Sequence, residues 1–130
     1  MDKTVSSKDL IKFGMRGYKD TVDVNWHGKI IEVRTLLSQE DEIRTIHEIV
    51  SLCVDDNDGS VAIELLEFYI RFKIICSYAK VSFPENLDDI YKLVYYSDLF
   101  DYIAESVNKT QLNNIIQSVK NICMCGGTTW

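Results

Sequence analysis

The chain has little proline or glycine: one proline and six glycines in 130 residues leave small room for flexible linkers. Histidine is nearly absent too, with only His27 and His47. Nucleophilic catalysis usually draws its base from histidine. A surplus of positive charge is also missing. Fourteen Lys and Arg stand against twenty Asp and Glu, a formal charge of −6. A general nucleic-acid binder needs the reverse balance to displace counterions from phosphates, so no direct nucleic-acid contact is expected. Met1 to Ser7 contains no apolar run, so no secretory signal is expected. The longest apolar-rich stretch, 61–78, carries Glu64, Glu67, Arg71 and Lys73. Four charges argue against a membrane span. Without export, the cysteines at 53, 76, 123 and 125 are expected as reduced thiols in a cytoplasm. The sequon Asn108-Lys109-Thr110 then has no chemical meaning.

What is present is ordinary globular material, 46% apolar and 26% charged. The length suits one domain, here residues 1–124 with a tail over 125–130. The first helix is expected over 6–19, capped by Ser7, with Leu10, Ile11, Phe13 and Met15 as its apolar contacts and Gly14 and Gly17 weakening it. Next, Val22, Val24 and Trp26 alternate with Asp23 and Asn25 up to His27-Gly28, and Lys29, Ile31 and Val33 follow. A two-residue turn at His27-Gly28 pairs Trp26 with Lys29, Val24 with Ile31 and Val22 with Val33, all on one face. A bare hairpin is marginal in water, so it must pack on helices or on another chain.

Beyond Leu37 the period becomes helical. Ser38 caps an acidic first turn, and Ile43, Ile46, Val50 and Cys53 fall at helical spacing. Residues 60–78 read as a long helix apolar around most of its circumference, which predicts a central position. Pro84 breaks the pattern, and two short helices follow near 86–95 and 98–107, the second capped by Ser97. In the last helix Leu112, Ile115, Ile116, Val119, Ile122 and Cys123 form one face, with Gln111, Asn113, Asn114, Gln117 and Asn121 opposite. The expected fold is therefore mostly α (α+β): five to six helices around a central apolar helix, with one N-terminal β-hairpin.

Chemistry is thin. His27 is occupied by a turn and His47 lies mid-helix; no Gly-x-Ser-x-Gly and no phosphate-cradling glycine loop occur. Cys123-x-Cys125 is the best metal candidate, but a closed zinc site needs four ligands, and its partners would come from Cys53, Cys76 or a histidine in apolar surroundings. The preferred reading is a core cysteine beside a frayed end, with no cofactor and no metal. Asp55-Asp56-Asn57-Asp58-Gly59 invites a calcium loop, but with Gly59 at the sixth position Val54 and Leu65 fall where oxygen ligands belong. An acidic turn between helices fits better. The aromatic run Tyr91, Tyr95, Tyr96, Phe100 and Tyr102 suits an interface, since tyrosine offers large contact area with a polar tip.

The short first helix, the hairpin from Val22 to Val33, and Leu37-Ser38 opening an acidic helix form a combined pattern. The segments from Phe72 to Ala79, Val81 to Pro84 and Leu93 to Leu99 complete it. The pattern resembles small proteins encoded in the morphogenesis gene clusters of tailed phages and prophages of low-GC Gram-positive bacteria, where such proteins look like tail assembly chaperones. The resemblance covers residues 8–120 and transfers no functional residue. It implies a non-enzymatic protein that binds a phage structural protein, such as the tape-measure or tube subunit, in the cytoplasm of the bacterial host or in the virion. The partner is expected to pair with the apolar hairpin face or with its exposed strand edge, and the expected contact residues are Val22, Val24, Trp26, Ile31, Val33, Tyr95 and Tyr96. A second reading fits the same composition: a small acidic phage inhibitor of a host defence nuclease, as anti-CRISPR proteins are, occupying a basic groove.

Overall fold

The computed structural model describes residues 4–14 and 20–125. Among them the order is α1 (Ser7–Gly14), β1 (Thr21–Trp26), β2 (Lys29–Arg34), α2 (Gln39–Cys53), α3 (Ile63–Tyr78), α4 (Leu87–Tyr95), α5 (Leu99–Ser106) and α6 (Lys109–Lys120). A π-helical turn, Asn121–Cys125, follows α6. The fold is mostly helical with one antiparallel hairpin near the N-terminus. The expected tail, apart from Cys125, lies outside the described residues, as do Met15 and Gly17 of the first helix.

The hairpin register pairs Val22 with Val33, Val24 with Ile31 and Trp26 with Lys29. His27 at φ 51° and Gly28 at φ 82° make the turn. Two successive left-handed residues give the twist that matches the flanking strands. The Asn25 side chain accepts from the Gly28 amide at 2.9 Å and holds the turn closed.

Caps set most helix starts. Ser6, one residue before the expected cap, accepts from the Asp9 amide at 3.2 Å. Ser38 accepts from Asp41 at 3.1 Å, Asn86 from Asp88 and Asp89, and Asn108 from Gln111. For α5 the N-cap is Asp98, not the expected Ser97, because Leu99 begins the helix; the Ser97 hydroxyl still accepts from the Leu99 amide at 3.2 Å. Helix α3 starts three residues later than expected. The reason is local: Val61 bridges Val54 in antiparallel fashion, and Asp55 donates its amide to Ser60. These contacts hold residues 60–62 extended. Between them Asp55 accepts from the Asn57 and Asp58 amides, and Gly59 at φ 71° reverses the chain. The acidic segment is the turn that its composition suggested.

Helix α3 packs against α2, α4 and α5. Leu66, Phe68, Ile70, Ile74, Ile75 and Tyr78 on it are buried, which accounts for its all-round apolar pattern. Thr45 on α2 and Ser77 on α3 share a hydrogen bond of 2.7 Å between their hydroxyls. On α6, Leu112, Ile115 and Val119 are buried, as is Cys123 beyond it, but Ile122 is 47% exposed. The widened π turn at 121–125 rotates Ile122 away from the face it was expected to share. Gln111, expected on the outer face, is instead buried at 7% exposure. Its Oε1 accepts from the Leu37 amide at 2.7 Å and from the Tyr78 hydroxyl at 2.6 Å, and its Nε2 donates to the Leu37 carbonyl at 3.0 Å.

Candidate interaction surface

The hairpin was expected to offer its apolar face or its exposed strand edge to a partner. That face is turned inward. Val33 is fully buried and Ile31 is 7% exposed; Val22, Val24 and Trp26 are half-buried against the same core. The physical reason is the one that made a bare hairpin implausible: apolar faces are covered by the nearest apolar surface, here the chain's own helices. Tyr95 is also half-buried, packed tilted against Phe68 and edge to face with Tyr91, with the Arg71 guanidinium 5.6 Å above its ring. Of the seven expected contact residues, Tyr96 alone is widely exposed, at 76%.

The hairpin is tied down at its tip, its base and one edge. Asp98 accepts from the Trp26 indole at 2.7 Å and sits 3.1 Å from His27 Nε2. The Trp26 bond, then the His27 bond, hold the Asp98 carboxyl below the usual carboxylate range. A depressed carboxylate stabilises the fold above its ordinary range, and that contribution is lost as pH falls through the lowered value. Asp98→Ala is therefore expected to shift Trp26 fluorescence and to remove part of the acid limb of the stability–pH curve. The check is thermal unfolding of both proteins between about pH 2 and pH 6. Asp41 behaves similarly: its hydrogen bond with Arg34 at 2.9 Å and the nearby Arg44 depress its carboxyl. At the base, Thr35 donates to the Asp20 carbonyl and its own carbonyl accepts from Asn108. Along the outer edge of β2, Lys80 donates to Glu32, and Val33 bridges Ala79.

The outer edge of β1 differs. In this register the backbone groups of Thr21, Asp23 and Asn25 point away from β2. None of them pairs with backbone among the described residues. All three residues are exposed. An unpaired strand edge is a template for another strand. Sequence alternation located the strand but not its open side. Which edge is free depends on where 78–80 passes, which periodicity does not encode.

Groups that could do chemistry are dispersed. A cleft of about 620 Å³ over α2 is lined by Ile43, His47, Glu48, Ser51, Leu52 and Lys73. His47 and Ser51 share no hydrogen bond, and Lys73 pairs with Glu48 at 3.7 Å. Among the described residues no three His, Cys, Asp or Glu side chains converge to hold a metal. Cys53 and Cys123 are buried; burial, then the nearby Cys123, pushes the Cys53 thiol up to about 11. Cys76 is exposed, contrary to its place in an apolar pattern. No helix among the described residues is long and apolar enough to cross a membrane. No family model, curated protein or solved structure matches the chain.

Proposed function

We propose that the chain works by binding another protein, as a chaperone-like factor in phage tail assembly, with no bond made or broken. The observation that carries this reading is the open edge of β1. Three alternate residues, Thr21, Asp23 and Asn25, turn amides and carbonyls without backbone partners outward on a strand whose other side is firmly held. Such an edge accepts one short extended segment of a partner, with main-chain hydrogen bonds supplying affinity. In this reading the segment shielded belongs to a tube or tape-measure subunit awaiting polymerisation. Release follows naturally, because only a few backbone bonds are at stake, each worth about 1 kcal/mol net.

The test is co-expression with the tube and tape-measure proteins of the same genome, followed by pull-down. Asp23→Pro removes one outward amide and leaves the β1–β2 ladder intact, since proline is tolerated on an edge. The native chain is expected to retain a virion protein and the variant to lose it while keeping its far-ultraviolet spectrum. Capture of a host nuclease instead, with inhibition of its cleavage, would replace this reading by the inhibitor one.

A further inference from the structure

Helix α1 has no buried residue. Leu10, Ile11 and Phe13 are 62%, 67% and 61% exposed, and at 100° per residue they share one side of the helix. Lys8 and Lys12 lie on the other side, Lys8 bordering Ile11, while Asp9 borders Phe13, so the helix itself is net +1. Such a stripe on a short helix is stable only when something covers it. Charge says what kind of surface that is. Residues 1–19 carry five Lys or Arg and two Asp, a net of +3, while residues 20–130 carry nine Lys or Arg and eighteen Asp or Glu, a net of −9. The chain is thus divided into a small basic apolar segment and a large acidic body.

The body carries a matching patch. Leu87, Tyr91 and Tyr96 are 69%, 42% and 76% exposed. The Tyr91 and Tyr96 rings meet edge to face at 5.8 Å, and Tyr91 stacks on Phe68 at 5.8 Å, so the patch rests on the core. Glu85 precedes it in the chain and Asp88 flanks it on α4, both exposed, with the exposed Lys92 further round the helix and Asp89 on the opposite side. Exposed tyrosines beside carboxylates suit a ligand that is apolar on one side and basic at its margin.

We propose that α1 of one copy docks on the Leu87–Tyr91–Tyr96 patch of a second copy, and that the exchange is reciprocal. Reciprocal docking closes at two subunits, because each copy contributes its α1 and its Leu87–Tyr91–Tyr96 patch to the same pair. This does not depend on what the β1 edge binds. The dimer is held by apolar contact and steered by opposite charge, so it weakens with salt.

Sedimentation equilibrium on the full chain tests it. At low salt a dimer is expected, with dissociation rising as salt is added. Phe13→Asp and Tyr96→Asp should each weaken association by about tenfold or more, and Lys8→Glu should weaken it to a smaller degree. Ile30→Asp, on the exposed outer face of the hairpin at 63% exposure, should leave it unchanged. Circular dichroism confirms that each variant is folded. A monomer at every concentration in low salt overturns the proposal. So does a dimer indifferent to Phe13→Asp and Tyr96→Asp, and so do open chains larger than two.

Discussion

Replacing Gln111 with alanine is expected to destabilise the protein by about 3 kcal/mol or more. One side chain satisfies three groups in the interior: the Leu37 amide, the Leu37 carbonyl and the Tyr78 hydroxyl. Alanine leaves all three without a partner at a place closed to bulk water. Each buried polar group so abandoned costs about 1–3 kcal/mol. Two companions separate this from simple loss of volume. Tyr78→Phe deletes a single donor and leaves the Gln111 amide still engaged by Leu37 at both ends, so about 1 kcal/mol is expected. Gln111→Glu keeps the shape but cannot donate to the Leu37 carbonyl when ionised, and it buries a charge. It should therefore be severely destabilised at neutral pH and partly restored in acid, where the carboxyl carries a proton. Urea titration at two pH values reads all three. If Gln111→Ala unfolded at the same urea concentration as the native chain, the buried network would contribute nothing.

The second large effect is expected at Ile74. It is fully buried in the middle of α3, where the helix meets its neighbours. Ile74→Ala removes buried methyl and methylene groups and leaves a cavity, at a cost of about 2–5 kcal/mol. Ile63, at the start of the same helix, is 56% exposed. Ile63→Ala should fall within about 0.5 kcal/mol of the native value. Measured side by side, the pair distinguishes a helix gripped from several sides from one that is merely rich in isoleucine.

These two residues also mark how far composition and spacing carry. The helices and the hairpin register were legible because each rests on short-range rules: caps, turn chemistry and periods of 3.6 and 2. Gln111 was assigned to the polar side because its neighbours Asn113 and Asn114 are there. Spacing held the correct answer, since Gln111 lies one turn before Ile115 and two before Val119, on the buried stripe. A polar residue at an apolar position is the signal, and it was outweighed by residue type. That the hairpin face needs a cover was legible, but whether the cover is the chain's own helices or another chain was not. Alternation shows that Val22, Val24, Ile31 and Val33 lie together, but their cover comes from helices far along the chain. Asp98 is one of twenty Asp and Glu, and nothing in its spacing marks it out. Its role appears only when the tip of the hairpin is brought beside it from 72 positions away.

That closure has a consequence for synthesis. Trp26 waits for Asp98, Thr35 for Asn108, and Leu37 for Gln111, separations of 72 to 74 residues. The first strands leave the ribosome long before the groups that fasten them. Because partners distant along the polypeptide must meet before the hairpin is secured, its completion is deferred until nearly the whole chain has emerged. Until then the Trp26, Thr35 and Leu37 groups lack the partners that fasten them. A truncation ending before Asp98 should remain sensitive to protease at Lys29 and Arg34, where the full-length chain resists.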